Sequence, residues 1–94
     1  MVSKKVGNDD IEELYKILVS VKNTEDCKML LSDLCTDREI EKMAERIRAA
    51  KLLIEGKTYN QVIEETDISS ATLSRVSRCV QYGDGYKKFL RGKK

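Results

Sequence analysis

The stretch TYNQVIEETDISSATLSRVSR, Thr58 to Arg78, decides the fold. It reads as two short helices joined by a tight turn. Thr58 followed by Gln61 is a capping-box spacing, in which each side chain takes up the other residue's free backbone N–H, and it opens the first helix. Thr66-Asp67 forms the turn, and Ser69 or Ser70 caps a second helix running to Val80 or Tyr82. Val62 and Ile63 on the first helix, Ile68 at the turn, and Leu73 and Val76 on the second are placed to pin the two against each other. Ser69, Ser70, Thr72, Ser74 and Arg75 are left facing outward. This is the layout of a helix-turn-helix over residues 58–80, whose second helix enters the DNA major groove. Asp67 stands where such turns often hold glycine, and Asp tolerates the left-handed conformation better than most residues.

Upstream of this motif the pattern stays helical. Thr36 and Glu39 form another capping-box spacing. Behind it Ile40, Met43, Ala44, Ile47, Ala50, Leu53 and Ile54 recur at helical spacing, and Gly56 closes the helix. Asp9-Asp10 precede a stripe of Ile11, Leu14, Tyr15, Leu18 and Val21, ended by Lys22-Asn23. Thr24 is the expected cap of the next helix, with Cys27, Leu30, Leu31 and Leu34 as its apolar positions. Downstream, Gly83-Asp84-Gly85 breaks the second helix of the motif, and Tyr86, Phe89 and Leu90 suit a last short helix packing back on the core. Residues 1–8 are polar and expected to be disordered. The expectation is an all-α fold of five or six helices in one domain, residues 1–94.

Composition agrees with that class. The chain has 40% hydrophobic residues but one Phe, no Trp and no Pro, which favours helices over a sandwich or barrel. No apolar run approaches the roughly 20 residues that span a bilayer and no signal peptide is visible, so a cytoplasmic protein with no membrane partner is expected. Cys27, Cys35 and Cys79 lack C-x-x-C spacing, and there is no histidine to complete a metal site. They read as free, mostly buried thiols. Without histidine, a Gly-rich phosphate loop or a base beside Cys79, the chain is not expected to be an enzyme.

Net charge is +2, but it is unevenly spread. Residues 1–35 hold 5 basic against 7 acidic residues (−2), whereas from Ile68 onward 7 basic residues face only Asp84 (+6). A phosphate-facing end carries such an excess, because Lys and Arg beside DNA release condensed counterions. The candidate DNA-binding residues are Lys57, Ser69, Ser70, Ala71, Thr72, Ser74, Arg75 and Arg78, with the C-terminal Lys93 and Lys94 as further phosphate contacts. Each also has a plainer reading: Ser69, Ser70 and Thr72 as helix caps, the arginines as surface charges, and the lysines as solubilising charge. For Arg46 and Arg48 on the long helix, pairing with Glu41, Glu45 or Glu55 is the plain reading. Helices this short cannot each bury a full face in so small a globule. Ile11, Leu14, Leu18, Leu30, Leu31 and Leu34 are therefore expected to pack partly against a second subunit, giving a twofold homodimer that reads paired half-sites.

From about Leu34 to Val80 the sequence resembles the tryptophan repressor family of bacterial regulators. The resemblance rests on Leu34-x-Thr36-x-x-Glu39, Arg46-x-Arg48, the helix end at Gly56, and Ala71-Thr72-Leu73-Ser74-Arg75. It implies an intertwined homodimer of six-helix subunits that binds a double-stranded DNA operator through residues from Ser69 onward. It also implies an effector pocket: Arg46 and Arg75 match the two arginines that hold tryptophan, and Thr36 a further pocket residue. Val76 and Cys79 depart from the family's glycine and serine at the corresponding places, which argues against tryptophan as the ligand. No cofactor is expected beyond a possible small effector. The function expected is a sequence-specific DNA-binding transcription regulator, a repressor; the alternative is a helical protein–protein interaction module with a basic C-terminal face.

Overall fold

Side chains at the helix ends set the boundaries of the elements. The computed structural model describes residues 5–91, Arg91 by its backbone alone. Of residues 1–8, expected to be disordered, 1–4 lie outside the described residues, as do Lys93 and Lys94 with their expected phosphate contacts, whereas Asn8 is the first residue of a helix. The elements are α1 (Asn8–Val19), α2 (Thr24–Leu34), α3 (Asp37–Ile54), α4 (Tyr59–Thr66), α5 (Ser70–Tyr82) and a closing π-helical turn, Lys87–Arg91. The fold class is all-α, as the sequence predicts. None of these helices is long and apolar enough to cross a membrane.

The chain groups into two compact units, Met1–Thr36 and Asp37–Lys94. In the first, α1 begins at Asn8, and the Asp10 carboxylate accepts the Gly7 N–H at 3.3 Å. Asp9 and Asp10 in its first turn and Lys16 in its last complement the helix dipole. The helix ends at Val19, short of the expected Val21, where the Ser20 hydroxyl donates to the Ile17 carbonyl at 2.6 Å. At α2 the cap is Asn23 rather than Thr24: its Oδ1 accepts the Asp26 N–H at 2.8 Å, and Thr24 becomes the first helical residue. Asn is the stronger N-cap of the two, so the register shifts by one. Neither helix has a buried residue. Ile11, Leu30 and Leu31 are half-buried, whereas Leu14, Leu18 and Leu34 are exposed.

In the second unit α3 is the central support, packing against α4, α5 and the closing turn. The fully enclosed apolar residues are Ala49, Ala50, Val62, Ile68, Leu73 and Val76, bordered by Leu52, Leu53, Ile63, Val80, Tyr86 and Leu90. Two adjacent alanines let the helices approach closely. Their burial turns α3 so that Ile47 is 44% exposed, although the helical stripe placed it inward. Ile47 instead lines an open groove of about 520 Å³ with Ala44, Arg48, Lys51, Leu52 and Glu55. Arg48 pairs with Glu65 of α4 at 3.6 Å rather than with a glutamate of its own helix. Tyr86 and Leu90 pack on the core as expected, but Phe89 is 67% exposed and lies under the Lys88 ammonium, 5.7 Å from its ring centre.

Gly56 has φ +99°, a backbone conformation that side chains with a β-carbon rarely adopt. Gly56→Ala is expected to destabilise the protein by about 1–2 kcal/mol, read as a lower urea midpoint with an unchanged slope. An unchanged midpoint would show that the α3–α4 connection does not need this geometry.

Candidate nucleic-acid interface

The helix-turn-helix is held by hydrogen bonds at each of its three joints. At the start of α4 the Thr58 N–H donates to Gln61 Oε1 at 2.9 Å, and the Gln61 N–H donates to Thr58 Oγ1 at 3.2 Å. This is the reciprocal box predicted from their spacing. At the turn, Asp67 takes the left-handed conformation (φ 62°, ψ 16°), and its N–H donates to the Ile63 carbonyl at 2.9 Å. Thr66 Oγ1 donates to the Val62 carbonyl at 2.7 Å and accepts the Ile68 N–H at 3.2 Å. At the start of α5, Ser69 is the cap. Its hydroxyl accepts the Thr72 N–H at 3.1 Å and donates to Thr72 Oγ1 at 2.9 Å.

These joints present one face of α5 outward. Leu73, Val76 and Ser77 are buried and Val80 half-buried, a spacing of three, four and seven residues that marks the inner face. Ser77 is the one polar residue among the buried set, and its Oγ accepts from Gln81 Nε2 at 3.3 Å. Ser70, Ala71, Ser74, Arg75, Arg78, Cys79 and Tyr82 are exposed. Ser70 and Ser74, one turn apart, have no hydrogen-bond partner among the described residues, and neither Arg75 nor Arg78 has an ion-pair partner there. Lys57 is exposed in the loop before α4. At the far end of α5, Lys87 Nζ donates to the Gln81 carbonyl at 2.9 Å, placing a cation on the negative end of the helix dipole. A β-carbon on Gly83 would lie 2.8 Å from the Cys79 carbonyl oxygen, so this helix end requires glycine.

The residues that the sequence associates with an effector are distributed differently. Val76 is 2% exposed, its side chain part of the core. Arg46, Arg75 and Thr36 are exposed, and Thr36 ends the other compact unit. Cys79 is exposed rather than buried, because it lies on the outer side of α5. It lines an apolar cavity of about 330 Å³ with Gly83, Gly85 and Tyr86. Arg46, Arg75 and Val76 line neither that cavity nor the groove on α3.

Residues 9–94 match the sequence profile of the family described as Trp repressor protein. The chain belongs to the Trp repressor family. That family is one of DNA-binding regulators, not of enzymes. Among its relatives is YerC, an uncharacterized protein of Bacillus subtilis (strain 168), 40% identical over 87 residues, which span 92% of this chain and 84% of that protein. Two crystal structures share the fold. A candidate Trp repressor from Staphylococcus aureus superposes with a TM-score of 0.84 at 34% identity, covering 97% of this chain and 92% of that one. A TrpR-like protein from Eubacterium eligens ATCC 27750 gives 0.84 at 33% identity, over 95% and 93%. The resemblance read from Leu34–Val80 therefore extends over nearly the whole chain, α1 and α2 included.

Thr66 and Ser77 are the two residues at this site that the sequence did not single out. Thr66 was read only as part of the turn, although a Thr ending a helix just before a left-handed Asp is a signal that it could bond to both sides. Ser77 lies four residues after Leu73 on the inner face, a signal that its polar side chain masks.

Proposed function

We propose that this Trp repressor family member is a sequence-specific DNA-binding transcription regulator, a repressor that occludes its promoter as a homodimer. The observation that carries the reading is the outer face of α5: hydroxyls with free bonding capacity and two arginines with no ion pair among the described residues, on a helix whose opposite face is locked into the core. Ser70, Ala71, Ser74 and Arg75 sit where base edges would be read, and Arg78 and Lys57 where phosphates would be held. Ser69 and Thr72 support the reading as the cap that holds the helix start. A repressor of this kind works in the cytoplasm, beside the chromosome.

The dimer is supported by the first unit. α1 and α2 hold no fully buried residue, and Leu14, Leu18, Met29 and Leu34 are 39–66% exposed, surface that a second copy would cover. Binding in this reading needs no tryptophan, because the Val76 side chain is already packed into the core.

The test is a titration of the purified protein, sized by sedimentation, against duplexes selected by it from a random pool. A dimer is expected, binding its selected duplex with an affinity that falls steeply as salt rises, about 0.9 logarithmic units per tenfold salt for each phosphate neutralised. The curve should be the same with and without added tryptophan. No affinity for any duplex at low salt would overturn the proposal and leave the basic end of the chain to an acidic protein partner.

A further inference from the structure

We infer that Thr66 is the positioning residue for DNA readout, its hydroxyl setting the angle at which α5 leaves α4; the inference rests on the DNA-binding reading above. The chain must turn between two helices with three residues, Asp67, Ile68 and Ser69. It does so by placing Asp67 alone in the left-handed region and returning to extended backbone at Ser69 (φ −70°, ψ 153°). A non-glycine residue there is strained, and a bond that spans it holds the turn angle more tightly than the packing of the α5 face alone.

The Thr66 hydroxyl spans it. One oxygen donates backward to the Val62 carbonyl, inside α4, and accepts forward from the Ile68 N–H, beyond the left-handed residue. Both bonds are partly buried, where an unmade bond is costly. Both ends are also anchored, since Val62 is fully buried and Ile68 is 2% exposed. The hydroxyl therefore ties the core residue of one helix to the core residue that leads into the next. The remaining joint, from Ser69 to Thr72, lies within the start of α5 and holds the helix together without fixing its direction. A helix that reads bases by hydrogen bonds tolerates small displacements poorly, whereas phosphate attraction is insensitive to them. Loss of the Thr66 bridge should thus remove discrimination and spare general DNA affinity.

The experiment compares Thr66→Val, which keeps the shape, and Thr66→Ser, which keeps the hydroxyl. The probes are one duplex selected by the wild-type protein from a random pool and its scrambled counterpart. Thr66→Val is expected to lose about tenfold in affinity for the selected duplex, on the order of one misplaced base contact. Its affinity for the scrambled duplex and its salt slope should match wild type, and Thr66→Ser should restore the ratio. A merely structural role would lower the melting temperature without moving the selected-to-scrambled ratio of the folded protein; an unchanged ratio in Thr66→Val overturns the inference. Should that variant fail to fold, amide exchange on the wild-type protein decides: Ile68 N–H exchanging as fast as an open loop overturns the bridge, and protection matching the core supports it. A wild-type protein with no duplex preference would instead overturn the DNA-binding reading itself.

Discussion

Arg75→Ala is expected to erase the protein's preference for its selected duplex while leaving its helix content and urea midpoint unchanged. Arg75 is exposed on the middle of α5 and has no ion pair among the described residues, so no interaction within the fold is lost when it is truncated. A guanidinium directed at a guanine edge makes a two-point contact contributing about 1–3 kcal/mol of discrimination, on the order of ten- to a hundredfold. Competition gel shifts with selected and scrambled duplexes measure the ratio. Arg78→Ala serves as the contrast: as a phosphate contact it should weaken both duplexes alike and make the salt slope shallower by about one. If Arg75→Ala discriminates as well as wild type, Arg75 plays no part in reading sequence.

Leu73→Ala is expected to have the largest effect on stability of any alanine substitution in α5. Leu73 has no exposed surface and sits with Ala49, Ala50, Val62, Ile68 and Val76 among the enclosed side chains of the described residues. Truncating a leucine in such a setting costs about 2–5 kcal/mol, transfer free energy plus the cavity left behind. That is a large share of the roughly 5–15 kcal/mol that holds a typical domain folded. Urea unfolding at fixed protein concentration should show a much lower midpoint, and duplex binding should disappear with the folded population. Ser74→Ala, the next residue but on the outer face, should stay within about 0.5 kcal/mol of wild type. Equal stability of the two variants would mean that α5 does not dock through its Leu73 face.

Local chemistry explains why so much of the motif could be read from residue order. The Thr58–Gln61 box, the left-handed Asp67, the Ser69 cap and the end of α5 before Gly83 all depend on groups within four residues of each other. Such contacts are written in spacing. At the start of α2 the sequence reading named Thr24, but Asn23, read as the end of the preceding element, is the better cap and takes the position. The site residues show the same division. That Ser70, Ser74, Arg75 and Arg78 share an outer face follows from helical periodicity. That Thr72 is half-buried, and that Cys79 is exposed rather than buried, needed the packed structure.

Residue order by itself determined the helical class, the helix-turn-helix, its capping and turn, and the cationic C-terminal end, because each is a matter of periodicity, neighbouring side chains or charge count. Tertiary structure alone decided which turn of α3 goes inward. The two adjacent alanines, Ala49 and Ala50, face the core and leave Ile47 exposed, since close helix approach there outweighs the larger side chain's burial. It also decided the ion pair across elements, Arg48 of α3 with Glu65 of α4. That pairing depends on how separate segments meet in space, and no spacing along a chain encodes it.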